Sequence, residues 1–299
     1  MTVGNDRLLE GGAKPEEAGP IAPEVFNAGG ASPVLLVCEH ASNVIPARYG
    51  DLGLSADELT SHVAWDPGAD IVARAVASQL DAALVAARVS RLVYDCNRPP
   101  DAPGAMPEKS EVFDIPGNRD LTEAQKSERV ENIYLPFKDG LSRVISGGGH
   151  LKVMVTVHSF TPVYFGGQRD LHIGILHDSD SRLADAMLET AEDFTSLDVR
   201  RNEPYGPADG VTHTLIEHGL HHGLLNVMIE IRNDLLAAEQ DQKIVSDLLA
   251  GWIAAACEKV GVPLSGDLLG GVLMGGGSSG GGSSRDGSMG TGKVTSCPQ

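Results

Sequence analysis

Two histidines stand where apolar runs break off: Val34-Leu35-Leu36-Val37-Cys38 leads directly into Glu39 and His40, and the run 153–157 leads into His158 and Ser159. Two further runs end in the same way, Leu92-Val93-Tyr94-Asp95 in Asn97 and Arg98, and Val227-Met228-Ile229 in Glu230, Ile231 and Arg232. Imidazoles joined by a carboxylate are the ligand types of zinc hydrolase sites, which leave one position open for water. His40 and His158 are the candidate imidazoles, read against the simpler role of hydrogen-bonded structural histidines. The carboxylate is Asp66, with Glu39 as the alternative. Asp66 has a rival task, because Asp-Pro-Gly-Ala is the setting of a helix cap ahead of a first-turn proline. Glu39 has a geometric obstacle: neighbours on a strand face opposite ways, so it shares an ion with His40 only where the strand has ended.

Glu230 closes an apolar run and is costly to bury charged without a partner. It reads either as an ion pair with an arginine such as Arg232 or as a general base that takes a proton from water and returns it to a leaving amine. Asn97 and Arg98, fixed by Pro99-Pro100, offer an amide and a planar fork matched to a carboxylate, against a structural salt bridge. Arg232, Arg91, His177 and His213 are further candidates. His218 and His222 have helical i, i+4 spacing but lack the glutamate of His-Glu-x-x-His, and Gly147-Gly148-Gly149 reads as a helix stop rather than a phosphate loop.

These residues need strands to carry them. Each apolar run is read as a strand delivering polar groups to its C-terminal edge, where ligands bind in open α/β sheets. Strands are expected over 34–38, 83–89, 92–96, 153–157, 172–176 and 226–232. Helices are expected at 54–59, from Asp66 to residue 80, and over 122–145, 181–193, 212–222 and 240–260. The alternation defines a single α/β domain with a mixed, mostly parallel sheet flanked by helices. The long proline- and glycine-bearing stretch 101–118 is read as a lid. Residues 1–30 are read as a flexible leader, 31–265 as the catalytic domain and the Gly/Ser-rich 266–299 as a disordered tail.

The 299 residues, 41% of them hydrophobic, suffice for a sizeable core. The sequence contains no apolar run of about 18 residues and no signal-peptide pattern, so the expectation is a soluble cytoplasmic protein with no membrane partner. A formal net charge of −18 argues against nucleic acid. It leaves a small acidic metabolite open, because a few local arginines suffice for that. Cysteines at 38, 96, 257 and 297 have no CxxC spacing, hence no thiolate zinc cage and no disulfide framework.

Taken together, Cys38-Glu39-His40-Ala41-Ser42-Asn43, Trp65-Asp66-Pro67-Gly68-Ala69, Asn97-Arg98-Pro99-Pro100, Ile115-Pro116-Gly117-Asn118, His158-Ser159-Phe160-Thr161-Pro162 and Met228-Ile229-Glu230-Ile231-Arg232-Asn233-Asp234 resemble the N-formylglutamate amidohydrolase family. The resemblance implies the fold of zinc carboxypeptidases and aspartoacylases, one zinc ion per chain and hydrolysis of an amide in N-formyl-L-glutamate or a related N-acyl amino acid. It implies that His40 and His158 are the metal imidazoles, that Asn97 and Arg98 hold the substrate α-carboxylate and that Glu230 is the base. Arg232 or Arg91 would then bind a side-chain carboxylate or the oxyanion, with His213 as a further substrate contact. The chain departs from the carboxypeptidase His-x-x-Glu pattern at Asn43, which leaves Asp66 or Glu39 to complete the ligand set. The other readings are a zinc peptidase or cell-wall amidase, distinguished by whether the 101–118 loop closes the cleft, and a binding protein that has lost the metal.

Overall fold

The computed structural model describes residues 19–264. The 266–299 tail, Cys297 and the first 18 residues of the leader lie outside the described residues.

Short apolar runs give the strands. In chain order the first are β1 (Glu24–Phe26), β2 (Val34–Cys38) and β3 (Ala83–Ala86), with helices α1 (Ala56–Thr60) and α2 (Ala69–Gln79) between β2 and β3. A small hairpin, β4 (Lys109–Ser110) and β5 (Phe113–Asp114), precedes a helical stretch of α3 (Glu123–Arg129), a wide π turn and α4 (Leu135–Gly147). Then come β6 (Val153–Phe160), a second hairpin of β7 (Val163–Tyr164) and β8 (Gly167–Gln168), β9 (Ile173–Leu176), α5 (Arg182–Phe194), β10 (Val199–Arg201), β11 (Leu225–Arg232) and α6 (Glu239–Lys259).

Seven strands form one mixed sheet in the order β1-β3-β2-β6-β11-β9-β10. The central strands β3, β2, β6 and β11 run parallel, whereas β9 runs antiparallel to β11 and β1 antiparallel to β3. Parallel strands are covered on both faces, which is why they are apolar throughout. The period of two still divides them. Leu36, Cys38, Val155, Val157, Val227 and Ile229 face α2, α5 and α6, while Leu35, Val37, Met154 and Met228 face α4 and the segment 92–96. Fully burying side chains of this size stabilises by about 1.5–3 kcal/mol each. Trp252 of α6 is wholly buried and donates its indole N–H to the Met187 carbonyl at 2.8 Å.

The same alternation aims the site. Glu39 follows Leu35 and Val37, His158 follows Met154 and Thr156, and Glu230 follows Met228, so all three lie on the face of the second core where the parallel strands end.

Four expectations are corrected. Residues 92–96 form a run of turns: Ser90 Oγ accepts from Leu92 N at 3.2 Å and its carbonyl from Val93 N at 3.0 Å, so the segment is apolar because it plugs the second core. Residues 24–26 of the leader pair with β3 as an edge strand. Strand β3 ends at Ala86, short of residue 89. The helix starting at Asp66 begins instead after Gly68, whose φ of +83° suits a residue without Cβ; a Cβ there would come within 2.6 Å of Leu236. Among the described residues no helix is long and apolar enough to cross a membrane, and Cys38, Cys96 and Cys257 are buried free thiols.

Candidate active site

Because Gly68 starts α2, Asp66 is released from capping, and its side chain turns to the end of the sheet. Its backbone N–H donates to the His40 carbonyl at 3.0 Å, which ties the loop to the end of β2. Asp66 Oδ2 lies 2.9 Å from His158 Nδ1 and 3.2 Å from His40 Nδ1, and the two Nδ1 atoms are 3.2 Å apart. The three side chains are buried and form a triangle of donor atoms. The imidazoles meet edge to face.

The outer nitrogen of each ring meets a carboxylate. His40 Nε2 is 2.8 Å from Asp95 Oδ1. His158 Nε2 is 3.1 Å from Glu39 Oε2, an ion-pair contact that lies off the hydrogen-bond line and leaves both Glu39 oxygens without an aligned donor. Glu39 therefore stands behind His158 rather than beside the inner nitrogens. With each Nε2–H directed outward, each Nδ1 presents a lone pair to the centre, the arrangement of metal-ligating histidines with carboxylate partners.

Charge points the same way. Burial disfavours the ionised forms of Glu39, Asp66 and Asp95, but His158 for Glu39, the two imidazoles for Asp66 and Arg91 with His40 for Asp95 outweigh it, and all three carboxyls are held below their usual range. Burial, and Arg91 for His40, likewise oppose protonation of the rings, yet the surrounding carboxylates raise both. Arg91 spans the group, with Nη2 at 2.7 Å from Asp95 Oδ2 and Nη1 at 3.4 Å from Asp66 Oδ1. Three carboxylates against one guanidinium leave two negative charges uncompensated when the imidazoles are neutral. A divalent cation fits that donor set, with His40, His158 and Asp66 able to hold it.

Glu230 pairs in register with His158 across β11 and β6. It is 5% exposed, its Oε2 has no hydrogen-bond partner, and burial above all pushes its carboxyl up to about 7. That places it among carboxylates able to exchange a proton near neutrality.

His40, Asp66, Arg91, Asp95, His158 and Glu230 line a cavity of about 550 Å³ that also includes Asn97, Arg98, Ser110, Glu111, Tyr164, Arg169 and Tyr205. The volume is that of a small-molecule site. Glu111, in the turn of the β4–β5 hairpin, accepts from the Phe165 N–H at 2.8 Å and lies 2.9 Å from His62 Nε2, so the 101–118 segment and the β7–β8 hairpin meet across the mouth. Arg98 donates from Nη1 to the Asp209 carbonyl at 2.9 Å beside Gly210, whose φ is +68° and where a Cβ would stand 2.9 Å from that nitrogen. Asn97 reaches the cavity, but its amide donates to the Val211 carbonyl at 2.6 Å and accepts from Thr214 N at 2.9 Å, holding the segment 211–214.

The other candidates lie elsewhere. Arg232 is turned away, bonded to Asp234 and to the carbonyls of Arg169, Asp170 and Leu171, and does not line the cavity. His213 accepts from or donates to the Tyr134 hydroxyl at 2.9 Å in a neighbouring pocket. His177 contacts Arg201 outside the cavity. His218 and His222 stack at 6.3 Å with no carboxylate joining them in a metal cluster among the described residues. Asn43 donates to the Leu59 carbonyl. Asp95, Arg169 and Tyr205 have no role in the sequence reading. Asp95 was visible at the end of an apolar run, whereas nothing local marks Arg169 or Tyr205.

The sequence profile described as N-formylglutamate amidohydrolase matches residues 32–237. A gene product of Agrobacterium tumefaciens of known crystal structure is 58% identical, with a TM-score of 0.78 over 80% of this chain and 96% of that one. An N-formylglutamate amidohydrolase from Ralstonia eutropha is 21% identical, with a TM-score of 0.57 over 80% of this chain and 98% of that one, a likeness of fold. No curated protein sequence matches the chain. The chain is thus a hydrolase acting on an amide bond. It belongs to the N-formylglutamate amidohydrolase family, as its sequence motifs imply.

Proposed function

We propose that the protein uses a bound divalent cation, zinc in the first instance, to hydrolyse the amide of N-formyl-L-glutamate or a closely related N-acyl amino acid to the carboxylic acid and the free amino acid. The observation that carries this reading is the buried triangle of His40 Nδ1, His158 Nδ1 and Asp66 Oδ2, backed by Asp95 and Glu39 and set beside Glu230. Zinc held by those three residues would polarise the carbonyl and acidify water. Glu230 takes a proton from the attacking water at its unpartnered Oε2 and delivers it to the leaving nitrogen. Arg98 directs its fork to the α-carboxylate and so holds the amide over the triangle. Asp95 and Glu39 keep the imidazole lone pairs inward, and Arg91 holds Asp95 and Asp66 ionised. The cavity volume of about 550 Å³ favours a small substrate over a peptide or cell-wall strand.

The test is elemental analysis of the purified protein and of His40→Ala and His158→Ala, with formate release from N-formylglutamate followed in parallel. One zinc per chain, lost from both variants together with activity, is the expected result. Full metal content in both variants, or full activity after exhaustive chelation, would overturn the reading.

A further inference from the structure

The cavity wall carries three arginines, and they are not equivalent. Arg91 is matched by Asp95 and Asp66. Arg98 and Arg169 have no carboxylate within ion-pair distance among the described residues: Arg98 donates to the Asp209 carbonyl, and Arg169 from Nη1 to the Tyr205 hydroxyl at 2.9 Å and, at 3.5 Å, to the Thr161 carbonyl. A guanidinium in a cleft without a counterion is a standing demand for an anion, and two of them in one small cavity ask for two.

Arg169 is also held in a manner suited to recognition. Its guanidinium carbon lies 4.3 Å from the centre of the Tyr164 ring, 4.8 Å from Tyr205 and 5.7 Å from Phe160. Stacking of this kind immobilises the planar group and shields it from water while leaving its N–H edge available, and Nε and Nη2 have no hydrogen-bond partner among the described residues. The backbone beneath it is fixed as well. Arg169 N–H donates to the Pro162 carbonyl at 2.8 Å, and Arg232 donates from Nη1 to the carbonyls of Arg169 and Asp170, both at 3.1 Å. Arg232 is itself held by Asp234 at 2.8 Å. The arginine that the sequence offers as a substrate contact is therefore the support of another.

We propose that Arg169, caged by Tyr164, Tyr205 and Phe160, is the specificity-determining residue that binds a second, side-chain carboxylate of the substrate, with Arg232 as its positioning residue. Of the two carboxylates of an N-acyl glutamate, one then meets Arg98 and the other Arg169. This rests on the amidohydrolase reading above.

The experiment compares N-formyl-L-glutamate with N-formyl-L-glutamine, which differ only in the charge of the side-chain terminus, and adds calorimetric binding of L-glutamate and L-glutamine, which does not depend on turnover. Loss of a hydrogen-bonded charge pair in a shielded site corresponds to a change of about 10- to 100-fold. Arg169→Gln is expected to lower the glutamate-to-glutamine ratio of kcat/KM by about that factor, mainly through KM, with Arg169→Lys recovering part of it and Arg232→Gln showing a smaller loss in the same sense. A ratio unchanged in Arg169→Gln, or a wild-type protein that does not distinguish the two compounds in either assay, would overturn the inference. Absence of hydrolysis of both compounds refutes the amidohydrolase reading alone; the binding preference and its loss in Arg169→Gln then decide the role of Arg169.

Discussion

Asp95→Asn preserves shape while removing the charge behind His40. In the wild-type protein Asp95 Oδ1 faces His40 Nε2 at 2.8 Å and the Asn97 N–H at 2.9 Å, and Oδ2 faces Arg91 Nη2 at 2.7 Å. All three partners are donors, so an asparagine must present its NH2 group to one side of this arrangement. Turned toward His40, it forces Nε2 to become the acceptor and moves the ring proton to Nδ1, which removes the inward lone pair. Turned toward Arg91, it opposes a guanidinium whose remaining carboxylate contact is the 3.4 Å approach to Asp66. Loss of such an outer partner typically costs about 10- to 100-fold in metal affinity, or about 1.4–2.7 kcal/mol. Glu39→Gln acts on His158 through a 3.1 Å contact that is not aligned as a hydrogen bond, so its effect is expected to be the smaller, about 10-fold or less. The assay is zinc competition against a chromophoric chelator at fixed pH, with circular dichroism to verify that each variant is folded. Unchanged zinc affinity in folded Asp95→Asn, or a larger loss in Glu39→Gln than in Asp95→Asn, would refute the assignment of inward-facing Nδ1 ligands.

Glu230→Gln is expected to lower kcat by about 100- to 10,000-fold with zinc content retained. In the wild type, activity is expected to rise with pH as the Glu230 carboxyl, raised to about 7 by burial, ionises; a bound cation would shift that rise downward, and a profile flat between pH 5 and 8 would sink its role as base. His218, buried in a second π-helical segment, Leu215–Leu220, has its pKa pushed down to about 4 by burial, with Glu217 opposing the shift. It is neutral in the fold where the unfolded chain binds a proton, so its stability contribution is complete above about pH 6.5 and is lost as pH falls toward 4, amounting to about 3 kcal/mol. Urea titrations across that range are expected to show a shallower pH dependence for His218→Asn than for wild type. Gly68→Ala places a Cβ at a φ of +83° and 2.6 Å from Leu236, and is expected to destabilise by about 1–3 kcal/mol in thermal melts while weakening zinc binding through displacement of Asp66.

Strand ends were the legible part. His158 and Glu230 are each the first ionisable group after an apolar run, His40 follows such a run by way of Glu39, and β2, β6 and β11 deliver them to one edge. Asp66 was readable by type but ambiguous by role, because only the φ of Gly68 shows that the helix cap does not need it. The run 92–96 misleads because burial in a second core and burial in a sheet leave the same apolar signature over five residues. Hence the carboxylate behind His40 was overlooked although Asp95 stood at its end. Arg232 and Arg169 are instructive in a different way: strand alternation puts Arg232 on the Glu230 face, which made it attractive, but Asp234 and three carbonyls draw its side chain away, and Arg169 is brought in by a hairpin whose direction no local pattern specifies.

The donor triangle joins residues separated by 26, 92 and 118 positions along the chain. Closing segments of this length carries an entropic cost that grows with the logarithm of their length, and contacts so distant in sequence form late in folding. A nascent or unfolded chain therefore holds no preassembled trap for a cation at this site; the local histidine pair His218 and His222 is one turn apart and joins no metal cluster among the described residues. Under the proposed function, capture of the cation would be a checkpoint of assembly, possible only once β2 and β6 lie side by side, and its free energy would be conferred almost entirely on the native state. Zinc uptake followed in time would then report the completion of the sheet rather than its first steps.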